Sequence, residues 1–405
     1  MKCFEMKFFK STFLVMISRL LAALCAILLF NHLNSVFEKP VLDNYFFTIS
    51  ITGLMAALCS GSLFQITTII KQENPELLPR VRFYAVSGLF LGFAFLSIYL
   101  MLVGNAELIL FSFFLLSTLV FSNYLLGIAR AQNVFASSQI SHAIVSQLAP
   151  LLLLVFINNI LGTQSDYHPL LLFVFGQILV VTILNYQCNS NLNLLKIEIR
   201  RLPKESEKSI RFLNLNSFFS FASNQIPYVI FPFVSSNIAI ASYYFIDRIV
   251  MFSIMAANVY DSASLNNYSC VTEDRKFRLY INDFKKYLSV GLIISFFMLF
   301  TLKSLIEILS LGKVAIQSSS VIAICIYVLF KYMMGPFMSF YTTTSRSKDV
   351  LYLNIFFVLV TVGFMFLMSI IFKTTDVFIC LAVAQILTTL GSFIRIFQLK
   401  KYSTA

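Results

Sequence analysis

The chain has 405 residues, of which 59% are hydrophobic and 12% are charged, and its formal net charge is +12. A mean hydropathy of +0.84 excludes an ordinary soluble globular domain. The positive charge would suggest a nucleic-acid partner in a soluble domain. Here it lies mainly in loops between apolar segments, where it faces anionic lipid headgroups, so membrane lipids are expected partners and nucleic acid is not.

Twelve apolar segments follow one another along the chain. Each reaches the roughly 20 residues needed to cross a hydrocarbon core about 30 Å thick. The predicted spans are 11–31, 44–70, 81–103, 106–128, 138–161, 168–186, 212–233, 238–259, 287–310, 317–340, 349–371 and 377–397. The pattern predicts an all-α, polytopic membrane protein. The first segment is a span rather than a cleavable signal, because its apolar run is too long for a signal peptide and contains Arg19.

Nearly all lysines and arginines outside the spans lie in every second loop, and therefore on one side of the membrane. One side holds 23 of them, and the other holds only Lys39, Lys313 and Lys373. Lys and Arg in short loops resist export. The side with 23 basic residues is therefore predicted to be cytoplasmic, together with both chain termini.

The longest polar stretch, residues 187–211, contains the run KIEIRRLPKESEKSIR and is predicted to be a basic cytoplasmic linker. It separates a predicted N-terminal lobe of six helices, residues 1–186, from a C-terminal lobe of six helices, residues 212–405. The loops on the other side are short. A layout of six plus six helices is common in transporters that bind substrate between two halves near the membrane midplane.

Charged residues inside the spans are the first candidates for a functional site, since a charge at the centre of a spanning helix costs on the order of 2.5–3.5 kcal/mol even on insertion scales. Asp247 and Arg248 lie near the middle of helix eight. Because neighbouring residues point about 100° apart around a helix, each is expected to meet a partner on another helix. Arg248 either lines a polar path or forms a structural ion pair.

Four further residues complete the candidate set. Arg19 in helix one either lines the same path or extends to the headgroups. Lys331 lies near the middle of helix ten, five residues before Pro336, which is expected to bend that helix. Asn224 and Gln225 belong to a polar stretch of helix seven, which either bonds to neighbouring helices or lines a groove for a sugar-like ligand.

Motifs for catalysis are absent from the sequence. It contains no Walker A loop, no HExxH, no Ser/His/Asp set and no C-x-x-C among its seven cysteines. The chain is therefore expected not to be an enzyme and to hold neither a metal nor an organic cofactor.

Three stretches carry a family resemblance: ITGLMAALCSGSLFQITTIIK in helix two, GIARAQNVFASSQISHAIVSQLAPLLLL from helix four into helix five, and IAIASYYFIDRIV leading to Arg248. With the layout, they resemble the polysaccharide-transporter branch of the multidrug/oligosaccharidyl-lipid/polysaccharide exporter superfamily, and within it the bacterial O-antigen flippases. The resemblance implies a V-shaped pair of lobes in the inner membrane of a bacterial cell, with helices one, two, seven and eight lining a cationic cavity.

The resemblance implies a function as well. The expected substrate is an undecaprenyl-diphosphate-linked oligosaccharide, whose phosphates would meet Arg19, Arg248 and Lys331 while Asn224 and Gln225 bond to sugar hydroxyls. Polysaccharide assembly proteins, namely a polymerase and a chain-length regulator, are the expected partners. Transport is expected to be coupled to protons or sodium through Asp247, unless that carboxylate only neutralises a basic residue.

Two alternatives stay open at this point. An O-antigen polymerase is also polytopic, but it should carry a large exported loop. Another secondary transporter, of the major-facilitator type, should carry a glycine-rich motif after helix two, where this chain has KQENPELLPRVR.

The predicted topology is testable with reporter fusions. Because of the 23-to-3 distribution of basic residues, fusions at Ser206 and at the C-terminus should report the cytoplasm, and a fusion near Asp166 should report the exported side. A C-terminus on the exported side would contradict the prediction of twelve spans.

Overall fold

The computed structural model describes residues 2–61, 63–73, 75–132, 134–157, 169–188, 198, 204–236, 238–269, 273–343 and 347–403. Most of the predicted linker 187–211 and the stretch 158–168, including Asp166, lie outside the described residues. The described part contains thirteen α-helices. They are α1 (Lys2–Val36), α2 (Lys39–Ser60), α3 (Leu63–Glu73), α4 (Leu78–Val103), α5 (Ile109–Ala131), α6 (Phe135–Phe156), α7 (Leu170–Gln187), α8 (Lys204–Ile230), α9 (Ile240–Ser269), α10 (Glu273–Leu309), α11 (Ser318–Thr343), α12 (Ser347–Phe372) and α13 (Val377–Ser403).

These helices follow the predicted spans in order and confirm the all-α, polytopic fold. The second span is the exception. It consists of two helices, because α2 ends at Ser60 and α3 begins at Leu63, so the prediction of a single helix two over 44–70 was wrong. The N–H of Gly61 caps α2 by donating to the Ala57 carbonyl at 3.0 Å. A Cβ on Gly61 would lie 2.5 Å from the Cβ of Ser217 on α8, so glycine is required where the two helices cross.

Helix boundaries elsewhere follow from local chemistry. Pro79 stands in the first turn of α4, where its missing N–H costs nothing. Gly104 ends the same helix with φ +84° and donates its N–H to the carbonyls of Leu100 and Met101, a left-handed cap that glycine adopts without strain. By contrast, Pro336 lies inside α11, which stays helical from Ser318 to Thr343.

Ten of the described helices are long and apolar enough to cross a membrane. They correspond to every predicted span except the seventh and eighth. Those two spans coincide with α8 and α9, which have 27 and 30 residues, enough to cross a bilayer. Helices α8 and α9 also carry most of the candidate site residues.

The chain divides into two compact units, Met1–Phe221 and Ala222–Ala405, called unit 1 and unit 2 below. The division falls inside α8. In unit 1, α6 packs against α1 and α7, while α5 packs against α2, α3 and α7. In unit 2, α11 packs against α9, α10 and α13. The apolar stretch of α11 is 67% buried, compared with 22% for α10 and for α12, so α11 is the central helix of unit 2.

Close packing of α6 and α7 depends on a glycine. A Cβ on Gly176 would lie 2.7 Å from Cδ of Pro150, and a pyrrolidine ring has little freedom to move away. Glycine therefore allows the two helices to approach more closely than any other residue would, as is common in membrane helix pairs.

We expect Gly176→Ala to lower the stability of the detergent-solubilised protein by about 1–3 kcal/mol, because the methyl group overpacks the contact with Pro150. Gly363→Ala in α12 is the matched control, since a Cβ there meets no atom within 4 Å. It should be neutral or stabilise by up to about 1 kcal/mol through helix propensity. Thermal unfolding checks both, and an equal effect of the two substitutions would contradict this account of the packing.

Candidate functional site

Three helices of unit 2 each carry two polar side chains four residues apart, which places both on one face of the helix. The pairs are Asn224 and Tyr228 on α8, Tyr243 and Asp247 on α9, and Tyr327 and Lys331 on α11. These six residues, together with Arg248, are called the polar core below.

Four residues of the polar core line a small cavity. Its polar lining consists of Ser223, Asn224, Tyr243, Asp247 and Tyr327, and aliphatic and aromatic side chains of α9 and α13 complete the wall. The space open to the centre of a water molecule is about 10 Å³, which is close to the minimum for one water. The cavity therefore accepts one water-sized occupant, with a few polar groups in a largely apolar wall.

Asp247 is the anion of this group. Its side chain is buried, with 6% of the residue exposed, and no hydrogen-bond partner is found for it among the described residues. Arg248 and Lys331 both act electrostatically on its carboxylate. With one anion and two cations, the three groups carry a net charge of +1 when all are ionised. Removal of Asp247 would leave the two cations without their anion, which is unfavourable away from water.

Arg248 interacts electrostatically with Tyr228 on α8 and makes an aromatic contact within its own helix, α9. Its Cζ lies 4.4 Å from the ring centroid of Tyr244, one turn earlier on α9. Such a cation–π contact compensates part of the lost hydration of a guanidinium, and the i, i+4 spacing brings the ring within reach. Lys331 has a longer contact of the same kind, with Nζ 6.0 Å from the ring centroid of Phe357 on α12.

Tyrosines form the wall on the other side of these charges. The ring of Tyr228 packs edge-on against Tyr243, with centroids 4.9 Å apart, and lies 6.3 Å from Tyr244. Tyr243 continues the contact to Phe378 of α13 at 5.3 Å. These arrangements favour the ring quadrupoles and hold α8, α9 and α13 together around the polar core.

Three polar atoms of the polar core have no hydrogen-bond partner. The Tyr228 hydroxyl, Asn224 Oδ1 and Arg248 Nε are buried and have no hydrogen-bond partner in the structure. Buried polar groups are normally bonded, so each of these atoms calls for an explanation. Tyr228, Tyr243 and Tyr327 were not predicted as site residues, although their four-residue spacing from Asn224, Asp247 and Lys331 is visible in the sequence.

The other predicted site residues lie elsewhere. Gln225 is buried on α8 but is not among the described residues that line the cavity. Arg19 belongs to α1 of unit 1, where its side chain is exposed. Among the described residues, no group of three His, Cys, Asp or Glu side chains is placed to hold a metal ion.

Comparison with known proteins adds information at the level of structure. No family model and no curated protein matches the chain. Solved structures match over almost the full length. An inward-facing multidrug resistance MATE family transporter of the MOP superfamily has a TM-score of 0.69 at 18% identity, covering 95% of this chain and 96% of the other. An outward-facing transporter of that family has a TM-score of 0.63 at 16% identity, with 97% and 96% covered.

A third solved structure is a MOP superfamily transporter from Pyrococcus furiosus, described by the reverse polarity of its binding pocket, which suggests a different function for it. Its TM-score is 0.64 at 17% identity, with 96% of this chain and 95% of the other covered. The chain therefore has the helical membrane fold of these transporters. At such identities the likeness concerns the fold, and the function has to be argued from the site.

Proposed function

We propose that the chain is a transporter that flips undecaprenyl-diphosphate-linked repeat units of O-antigen or another polysaccharide across the bacterial inner membrane by alternating access. The basic loops and both termini then lie in the cytoplasm. The proposal is supported by a fold that is similar to transporters in inward-facing and outward-facing conformations, and by the resemblance of three sequence stretches to O-antigen flippases.

The observation that carries the proposal is the net positive polar core in unit 2. Arg248 and Lys331 lie on apolar helices, with a single carboxylate, Asp247, in electrostatic range of both. Charges at such depth are costly and usually serve a function. A diphosphate is the part of the proposed substrate that needs cations, and guanidinium groups bind phosphate oxygens in a bidentate way. Asn224 and Gln225 are left for sugar hydroxyls.

Efflux of organic cations is the second candidate, since two of the solved relatives are described as multidrug resistance transporters. Tyr228, Tyr243 and Tyr244 supply aromatic surface of the kind that binds such compounds. The charge balance opposes this function, because two cations and one anion repel a positively charged ligand. A liposome assay with a labelled lipid-linked glycan, run beside a fluorescent organic cation, separates the two candidates.

Arg248→Ala tests the role of the guanidinium. Loss of a phosphate-binding charge in a desolvated site should reduce glycan flipping by on the order of a hundredfold, while the amount of protein in the membrane stays near normal. Arg248→Lys should restore only part of the activity, because an ammonium group lacks the planar fork. If the alanine variant fails to accumulate and the lysine variant is fully active, Arg248 serves the fold rather than the substrate.

Asp247→Asn tests coupling to an ion gradient. The proposed role of Asp247 is to exchange a proton or a sodium ion at the small cavity as the transporter changes conformation, since Asp247 lines that cavity together with Ser223, Asn224 and two tyrosines. Asparagine keeps the shape but cannot take up and release a proton. Flipping by the variant in liposomes should no longer respond to a pH or sodium gradient, whereas an unchanged response would exclude Asp247 as the coupling site.

A further inference from the structure

The polar-core atoms without hydrogen-bond partners include both donors and an acceptor. Tyr228 is fully buried and its hydroxyl has no partner, and Arg248 Nε is buried without a partner as well. Both groups are hydrogen-bond donors. Two buried donors without acceptors are unfavourable inside apolar helices, so the sequence retains them at a cost to stability.

The two donors belong to one place in the fold. Tyr228 and Arg248 act electrostatically on each other, and both lie near Tyr244. Its ring centroid is 4.4 Å from the Arg248 Cζ and 6.3 Å from that of Tyr228. An acceptor that reaches one donor is therefore near the other.

A water in the small cavity does not satisfy them. Among the described residues, neither Tyr228 nor Arg248 lines that cavity. Their acceptor therefore has to approach from outside this cavity. Pro227 precedes Tyr228 inside α8 and has no N–H to bond to the preceding turn, so α8 is most easily deformed next to the unsatisfied hydroxyl.

The chemistry of the site points to an anionic acceptor. A neutral acceptor would leave the net charge of +1 from Asp247, Arg248 and Lys331 uncompensated. Hydrogen bonds from a phenol and a guanidinium to an anionic oxygen are shorter and stronger than those between neutral groups. We propose that the Tyr228 hydroxyl and Arg248 Nε together bind one oxygen of the substrate's diphosphate, which makes Tyr228 a substrate-binding residue. This inference rests on the proposed function, because it assigns a contact to that substrate.

Two buried tyrosines of unit 2 provide a matched pair for the test. The Tyr332 hydroxyl donates to the Ser253 carbonyl at 2.7 Å, whereas the Tyr228 hydroxyl has no partner. Removing the Tyr332 hydroxyl breaks a structural bond, and removing the Tyr228 hydroxyl removes an unsatisfied group. The two Tyr→Phe substitutions are thus chemically identical and should differ in sign on stability.

The experiment uses the full-length protein in nanodiscs of zwitterionic lipid. Binding of farnesyl diphosphate and of inorganic pyrophosphate is measured by calorimetry, beside thermal unfolding of each variant. Tyr228→Phe should bind both probes about tenfold more weakly, with an unchanged or higher Tm. Tyr332→Phe should have a lower Tm and an affinity within about twofold of the wild type. Binding of both probes should be equally strong in nanodiscs that contain phosphatidylglycerol. Weaker binding there would show that lipid headgroups occupy the site and would contradict its assignment to the substrate.

Three results would overturn the assignment of Tyr228. They are wild-type affinity in Tyr228→Phe, no diphosphate binding by the wild-type protein, and a loss of Tm or of folding in Tyr228→Phe, which would show that the hydroxyl bonds to a structural water. Failure of the proposed function gives a different pattern. In that case diphosphate binding depends on Tyr228, but the wild-type protein does not flip a lipid-linked glycan in liposomes.

Discussion

The packing of unit 2 depends on three charged side chains that lie on apolar helices. Asp247 is buried and has Arg248 and Lys331 in electrostatic range. The helix that carries Lys331, α11, is more buried than α10, α12 or α13. An isolated ion at such a position would be expelled or neutralised. The attraction between charges on α9 and α11 therefore ties these two helices together, and substitution of one charge changes the electrostatic environment of the other two.

Tyrosine replaces water around these charges. The chain has 18 tyrosines and no tryptophan. Three tyrosines belong to the polar core, namely Tyr228, Tyr243 and Tyr327, and Tyr244 contacts its Arg248. An aromatic ring fills apolar space while its hydroxyl remains available for bonding. Where the hydroxyl is satisfied, as in Tyr332, the residue serves the fold. Where the hydroxyl is buried without a partner, as in Tyr228, the residue costs stability, and such costs are concentrated at binding sites.

The fold is shared with multidrug transporters at 16 to 18% identity, which shows how few particular residues it requires. Apolar side chains facing lipid are interchangeable. Helix crossings require small residues at a few points, such as Gly176 against Pro150 and Gly61 against Ser217. The polar core is different, because the identity of each side chain decides which ligand charge is favoured. The choice of substrate therefore depends on the side chains of α8, α9 and α11 rather than on the architecture.

The amino-acid sequence by itself determined the all-α class and the order of the apolar segments, because hydropathy and the length needed to cross a bilayer are local properties. It also identified Asp247, Arg248 and Lys331 as exceptional, since a charge in an apolar run is visible without a structure. Only the tertiary structure decided that α2 ends at Gly61, that Arg248 lies over Tyr244, and that Tyr228, Tyr243 and Tyr327 surround the charges. These features depend on which helices are neighbours and on how each is rotated about its axis, and neither is encoded in a local pattern of residues.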